Sequence, residues 1–216
     1  MKKTLITGAS GMVGSIVLRE CLNSTEVEQV TSIVRRASGI THPKLIEVIH
    51  QDFGDFSSIE NHFANQDVAH FCVGVYSGTV PKDTLKLVTF DFAKIFGDAV
   101  KKNSPQATLC FLSGQGADLK EKSWIPFAKF KGMAENHLMS LDLGGLYIFR
   151  PGYIYPVKKR EEPSMMYRAS RSLYPLLNKV APAMSITSEN LGKAMFKAGI
   201  QGAQKTILEN QDIKEV

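Results

Sequence analysis

The stretch that decides the fold is TLITGASGMVGSIVL, which spans Thr4–Leu18. Its first four residues form an apolar, β-branched run typical of a buried strand, and Ile16–Leu22 carries apolar residues at helical spacing. Gly8, Gly11 and Gly14 lie between the two runs. Glycine suits a tight turn, a close approach of the backbone to a bound group and close packing of a helix on a strand. The segment therefore predicts a strand–turn–helix unit.

The rest of the chain alternates between short β-branched runs and amphipathic stretches. Such alternation favours a parallel sheet covered by helices on both faces. Further strands are predicted at Val30–Val34, Leu45–Ile49, Val68–Val73, Thr108–Leu112, Leu146–Phe149 and Thr206–Leu208. Further helices are predicted at Leu85–Val100, at Phe130–Leu141 and from a cap at Thr187 or Ser188 to about Ala198. We expect an α/β, Rossmann-type doubly wound sheet in a single domain over residues 1–216, with residues 152–186 as a small C-terminal cap on the substrate side.

Composition agrees with one globular domain, because 44% of the 216 residues are hydrophobic and 22% are charged. The net charge of +5 suits nucleic acid or a phosphorylated cofactor, but the basic residues are not concentrated in one tail. Cys21, Cys72 and Cys110 form no CxxC pair, and no histidine stands at metal-ligand spacing. No apolar run reaches 18 residues. We therefore expect a cytoplasmic protein without metal, nucleic-acid or membrane partners.

The glycine turn predicts a phosphate site, because the helix that follows offers its N–H groups and its dipole to an anion. A glycine triplet that follows a strand and opens a helix is typical of dinucleotide-binding proteins, where it holds the pyrophosphate of NAD or NADP. The spacing here is GxxGxxG rather than GxGxxG. The predicted contacts in this turn are Gly8, Ala9, Ser10, Gly11, Met12, Val13 and Gly14.

The end of the second strand distinguishes NADP(H) from NAD(H). An acidic residue about 20 residues beyond the glycines holds the ribose 2′-OH of NAD, but Arg35 and Arg36 stand there instead. Guanidinium groups match phosphate oxygens, so we expect a preference for NADP(H); the alternative is a pair of exposed loop arginines. Asp52 is assigned either to the adenine amino group or to a helix cap. The other predicted cofactor contacts are Phe53, Val73, Gly74, Lys131 and Pro151.

Together, several segments resemble the atypical short-chain dehydrogenase/reductases, nearest the branch with Tat-interacting-protein-like, NmrA-like and flavin-reductase-like proteins. The resemblance covers roughly residues 3–155. The segments are TGASGMVG at 7–14, IVRR at 33–36, DF at 52–53, LSGQGAD at 112–118, FKG at 130–132 and RPG at 150–152.

This resemblance implies a catalytic serine and a YxxxK pair on one helix. The matching lysine is Lys131, which the resemblance places on the nicotinamide ribose, but Phe127 stands where the tyrosine is expected. Phenylalanine has no acidic proton and cannot act as a general acid. The serine position matches either Ser113 or Gly114, and we take Ser113 and Lys131 as the candidate catalytic residues. Trp124 is assigned either to ligand stacking or to the core.

The resemblance implies three functions. The first is an NADP(H)-dependent oxidoreductase that passes hydride to a small conjugated or carbonyl substrate. The second is a non-catalytic, NmrA-like protein that senses NADP(H) and docks a regulatory protein partner. The third is a sugar-nucleotide epimerase or dehydratase, which the absent tyrosine disfavours. In relatives, the helices matching Leu85–Val100 and Phe130–Leu141 often form dimer faces, so the resemblance makes a homodimer a candidate assembly.

Overall fold

The computed structural model describes residues 1–76, 78–157 and 184–216. The described strands are β1 (Lys2–Thr7), β2 (Val27–Val34), β3 (Leu45–Ile49), β4 (Val68–Phe71), β5 (Thr108–Leu112), β6 (Gly145–Arg150), β7 (Tyr153–Tyr155), β8 (Ser185–Thr187) and β9 (Ile207–Glu209). Seven of them form one parallel sheet in the order β3-β2-β1-β4-β5-β6-β9, and β7 pairs with β8 in a second, two-stranded sheet.

The strand order reverses direction next to β1. The chain runs outward from β1 to β2 and β3, and then crosses to β4 on the other side, so that Leu5 of β1 lies between Thr31 of β2 and Ala69 of β4. In open parallel sheets, ligands bind in the crevice at the carboxyl ends of the strands where the order reverses. The fold therefore provides a binding crevice directly beyond the glycine turn.

Helices cover both faces of the sheet. The described helices are α1 (Gly14–Asn23), α2 (Lys82–Lys86), α3 (Phe92–Asn103), α4 (Pro126–Ser140), α5 (Ser188–Gln201) and α6 (Asn210–Glu215), with a 3₁₀ segment at Ser57–Phe63 and a π-helical turn at Leu87–Asp91. The first core lies under α1 and α5, and the second lies under α3 and α4. Apolar strands buried on both faces need such cover, which explains the β-branched runs of the sequence.

The predicted α/β Rossmann fold is confirmed, while two helix boundaries were wrong. Helix α4 begins at Pro126 rather than Phe130, because proline is suited to the first helical position, where no N–H bond is lost. The predicted helix at Leu85–Val100 is part of a longer helical run from Lys82 to Asn103, interrupted by the π-helical turn.

Most of the predicted cap at residues 152–186 lies outside the described residues. Its two ends are described, and there β7 and β8 pair in parallel, with Ile154 opposite Ile186. The predicted helix cap at Thr187 is confirmed, because its hydroxyl accepts the N–H of Asn190 at 3.1 Å. Within the described ranges, no helix combines the length and apolar character that crossing a membrane requires.

Candidate functional site

The glycine turn is closed by backbone contacts that leave no room for side chains. Gly8 has a φ of +79°, and a Cβ atom there would lie 2.6 Å from the carbonyl carbon and oxygen of Cys72. A Cβ atom on Gly14 would lie 2.2 Å from the carbonyl oxygen of Gly8. Gly11 donates its N–H to that same oxygen at 2.9 Å. The turn therefore requires glycine to bring β1, β4 and α1 this close together.

The N-terminus of α1, which follows the turn, is suited to binding an anion. The N-cap residue of α1, Val13, makes no side-chain hydrogen bond to the helix, and the first turn contains no acidic residue. Helix N-termini carry partial positive charge and N–H groups that lack intrahelical acceptors. The start of α1 can therefore accept a pyrophosphate without displacing a side chain of its own.

A cleft of about 700 Å³ opens beside this turn, at the carboxyl ends of the strands. Its size falls within the range of small-molecule and cofactor sites. The residues lining it are Gly8, Ala9, Ser10, Gly11, Ile33, Val34, Arg35, Arg36, Ala37, Ser38, Gln51, Phe53, Cys72, Val73, Gly74, Val75, Val88 and Phe92.

Arg35 and Arg36 are exposed where β2 ends, and both line the cleft. Neither forms an ion pair with another residue of the described ranges. The loop that carries them is tied to β3, because the N–H of Ser38 donates to both carboxylate oxygens of Glu47, at 3.2 and 3.0 Å. Two guanidinium groups thus stand at the mouth of the cleft, available to an anionic ligand.

The cleft gathers nine of the predicted cofactor residues and leaves six outside its lining. Those that line it are Gly8, Ala9, Ser10, Gly11, Arg35, Arg36, Phe53, Val73 and Gly74. Those that do not are Met12, Val13, Gly14, Asp52, Lys131 and Pro151. Gly14 is buried against Gly8, and Asp52 accepts the N–H of Gly54 at 2.8 Å instead of capping a helix. Their predicted contacts with the cofactor stay predictions.

Several lining residues were missed by the sequence argument. Gln51 and Val75 flank predicted contacts, and their position beyond strand ends was the available signal. Val88 and Phe92 fall within the predicted helix Leu85–Val100, which was not assigned to the site. Val88 lies in the π-helical turn and Phe92 directly follows it. Such turns frequently occur at functional sites.

Lys131 lies on α4 as a buried cation. Only 5% of the residue is exposed, and its Nζ donates to the carbonyl oxygen of Leu112 at 2.7 Å. The same nitrogen lies 4.8 Å from the ring centroid of Phe111 and 6.0 Å from that of Phe127. Burial lowers the pKa of Lys131 to about 8, partly opposed by the charge of Glu135. The ammonium group is thus held at the carboxyl end of β5.

Phe127 occupies the space beside Gly114. A Cβ atom built on Gly114 would lie 2.7 Å from Cζ of the Phe127 ring. Serine in place of Gly114 is therefore incompatible with the ring in this position. At the position where the resemblance implies a tyrosine, Phe127 brings no hydroxyl group. Of the two candidate serine positions, Gly114 brings none and Ser113 brings one.

Ser113 belongs to a buried polar network. Its hydroxyl donates to Glu135 of α4, whose side chain is fully buried. Arg150 at the end of β6 donates its Nε to both oxygens of this carboxylate at 3.1 Å, and its Nη1 reaches Glu209 at 2.9 Å. The carboxylate and these hydrogen bonds raise the pKa of Arg150. The catalytic role predicted for Ser113 stays a prediction, and its hydroxyl has a structural partner.

Glu135 was not predicted from the sequence, although one signal was present. Phe127, Lys131 and Glu135 follow one another at intervals of four residues, so all three lie on one face of α4. Arg150 was quoted only as part of the RPG segment. The pairing could not be inferred, because it joins a helix to the end of a strand.

The fold and the glycine-lined cleft define a dinucleotide-binding α/β protein. Residues 8–169 match a family described as NAD(P)H-binding, and the chain belongs to that family. It is similar to Protein HTATIP2 of Rattus norvegicus, with 25% identity over 217 residues that cover 98% of this chain and 88% of that protein. The resemblance to the atypical short-chain dehydrogenase/reductases is thereby confirmed.

Solved structures share the fold at lower sequence identity. MoeE5 in complex with UDP-glucose and NAD has a TM-score of 0.70 and 14% identity, covering 95% of this chain and 74% of that one. The Bordetella bronchiseptica enzyme WbmH in complex with NAD+ has a TM-score of 0.70 and 17% identity, covering 96% and 74%. A putative NAD-dependent epimerase/dehydratase from Bacillus halodurans has a TM-score of 0.67 and 16% identity, covering 94% and 89%.

Proposed function

We propose that the protein is an NADP(H)-dependent reductase that passes hydride to a small conjugated or carbonyl substrate. The observation that carries the proposal is the cleft, which joins the glycine turn to Arg35 and Arg36. The start of α1 would hold the pyrophosphate, and the two guanidinium groups would hold the 2′-phosphate that distinguishes NADP from NAD. The preference for NADP(H) rests on those two arginines.

The residues beyond the cleft suggest what the substrate is like. Lys131 would hold the nicotinamide ribose from the end of β5, and the bound nicotinamide supplies the hydride. Phe127 and Gly114 offer no hydroxyl group to protonate a reacting oxygen. A flat, electron-poor conjugated acceptor fits this site better than a simple ketone, because water or the acceptor itself can supply any proton.

The cofactor is tested by titrating the purified protein with NADPH and NADH in a calorimeter. We expect tighter binding of NADPH, and loss of at least tenfold in NADPH affinity in the double variant Arg35→Ala/Arg36→Ala, with little change for NADH. The matched control is Lys2→Ala/Lys3→Ala, which removes the same charge at the opposite end of β1.

The outcomes separate the parts of the proposal. Equal affinity for the two nucleotides would contradict the NADP preference and leave the cleft as a general NAD(P)H site. If the lysine control loses as much NADPH affinity as the arginine variant, the loss would be explained by the change in net charge and not by a contact of the arginines. The loss of affinity in the arginine variant alone would support a direct contact with the 2′-phosphate.

A second candidate is a protein that binds NADP(H) without chemistry and docks a regulatory partner. The contact between Phe127 and Gly114 favours this candidate, because neither of these residues carries a hydroxyl group of the kind that ordinary carbonyl reduction uses. The discriminating measurement is NADPH oxidation with flavins, quinones and carbonyl compounds. Turnover with any of them supports the reductase, whereas tight NADPH binding without turnover supports the sensor. Epimerase or dehydratase chemistry, a homodimer, a single domain and a cytoplasmic location stay predictions.

A further inference from the structure

The loop between β5 and α4 displays a large aromatic side chain to solvent. Trp124 is 99% exposed and the next residue, Ile125, is 64% exposed. Trp124 is the one tryptophan of the sequence. Its exposure rules out an anchor in the core, so both faces of the indole ring are available to a ligand.

The loop is held by several hydrogen bonds, although its tryptophan is almost wholly exposed. The carboxylate of Asp118 accepts three backbone N–H groups of the loop at distances of 2.7 to 3.0 Å. Asn136 of α4 donates to the carbonyl oxygen of Leu119 at 2.9 Å and to Glu121 at 2.7 Å. A well-fixed loop with an exposed aromatic residue is typical of binding positions on a rigid scaffold. The three N–H groups belong to Lys120, Lys122 and Ser123.

Trp124 lies in the loop that joins the carboxyl end of β5 to α4. It precedes Phe127 by three residues, which limits the distance between their Cα atoms to about 10 Å. Phe127 in turn contacts Gly114, directly beyond the carboxyl end of β5. This is the edge of the sheet at which ligands of parallel α/β folds bind.

We propose that Trp124 is the substrate-binding aromatic residue, and that it stacks on a planar, electron-poor acceptor such as a quinone or an isoalloxazine. The inference rests on the proposed reductase function. Phe127 stands where the resemblance implies a tyrosine, and the Ser113 hydroxyl already donates to Glu135, so an acceptor whose conjugated ring takes up hydride suits the site, and such a ring presents a flat π-face. The acceptor gains a hydride from NADPH and a proton from water, and NADPH is oxidised to NADP+. An offset indole ring is a suitable partner for that π-face.

The tryptophan itself reports the contact. We expect menadione or FMN to quench the Trp124 emission saturably when added to the protein loaded with NADP+, because no other tryptophan contributes. In steady-state assays with the same probes, Trp124→Leu is expected to raise KM about tenfold while kcat stays within twofold. Trp124→Phe should recover most of the loss, because phenylalanine keeps a π-face. The control is Ile49→Ala, an exposed apolar residue on edge strand β3.

Two results would overturn the inference while leaving the reductase in place. One is NADPH binding by calorimetry with no quenching by either probe. The other is probe reduction with an unchanged KM in Trp124→Leu. If NADPH itself does not bind, the proposed function fails, and the substrate role of Trp124 fails with it. An equal rise of KM in the Ile49→Ala control would also count against a specific stack.

Discussion

The two halves of the site edge are built by different means. At the proposed cofactor half, between β1, α1 and β2, close backbone contacts exclude side chains, and a Cβ atom on Gly14 would lie 2.2 Å from a carbonyl oxygen. At the proposed substrate half, between β5, α4 and β6, buried side chains form the structure around the carboxylate of Glu135. The first half therefore depends on glycines that lack a Cβ atom, and the second half depends on the ion pair between Glu135 and Arg150.

This difference explains why the glycine turn matches the pattern of dinucleotide-binding proteins more fully than the other half matches the implied catalytic residues. A nucleotide's pyrophosphate is recognised by backbone groups, so its site needs only glycines and a helix start. Carbonyl chemistry at the other half would use hydroxyl groups, but Phe127 carries none and the Ser113 hydroxyl donates to Glu135. The ion network of Glu135 holds α4 against the ends of β5 and β6. The proposed substrate half thus has a fixed architecture around Glu135, with phenylalanine where the resemblance implies a tyrosine.

The largest effect is expected from breaking the network of the substrate half. Glu135→Ala leaves Arg150 without its buried carboxylate and Ser113 without its acceptor, and should reduce the free energy of unfolding by about 3–5 kcal/mol. Urea unfolding followed by circular dichroism measures the loss. Glu189→Ala, which breaks a partly exposed pair with Arg19, is the control and should cost within about 1 kcal/mol. A loss at Glu135 no larger than the control would show that the network is dispensable.

The next effect tests the backbone packing of the cofactor half. Gly14→Ala places a methyl group against the carbonyl oxygen of Gly8, and should cost about 3 kcal/mol of stability and abolish NADPH binding. The matched control for stability is Gly74→Ala, since a Cβ atom there meets nothing within 4 Å. Thermal unfolding measures the stability of both variants, and calorimetric titration measures NADPH binding by Gly14→Ala. An equal loss of stability in the two variants would contradict the close approach.

A pH-dependent effect is expected from His70, which lies buried in β4 near Gly199 of α5. Burial lowers the pKa of His70 to about 4 from 6.5, so the folded protein disfavours its protonated form. Stability is complete above pH 6.5 and falls as the pH drops toward 4, because the unfolded chain then binds the proton more readily. Between pH 7 and pH 5 the contribution is about 2 kcal/mol.

The measurement compares wild type with His70→Leu in urea at both pH values. The wild type should lose about 2 kcal/mol more than the variant on going to pH 5. The difference between the two proteins removes the contribution of the carboxylates, which they share. An identical pH dependence in the two proteins would mean that burial does not lower the pKa of His70.

The smallest effect concerns the missing acid. Phe127→Tyr adds a hydroxyl group at the ring edge beside Gly114, on the helix face that carries Lys131. We expect about tenfold faster NADPH oxidation with a panel of carbonyl compounds, below the roughly 10²–10⁴-fold typical of general-acid catalysis because residue 114 supplies no second donor. Phe127→Leu is the control, since it removes the ring without adding a proton donor. No gain with any carbonyl would contradict a preserved catalytic geometry.

Much of the fold could be predicted from short segments. Strands β3 and β5 match their predicted bounds, and the other five strands of the main sheet differ by a few residues at their ends. β-branched runs and helical periodicity are local signals, so the sequence reports them directly. The π-helical turn and the start of α4 were missed, because they depend on packing against neighbouring elements and on one proline.

By itself, the sequence determined the strand–turn–helix unit, the parallel α/β architecture and the arginines at the end of β2. These features follow from residues adjacent in the chain, whose spacing restricts the backbone directly. Only the tertiary structure decided that Ser113 binds Glu135, 22 residues away, that Glu135 also binds Arg150, and that Trp124 stands in solvent. Such contacts depend on how a helix is set against strand ends, and no local pattern in the chain encodes that geometry.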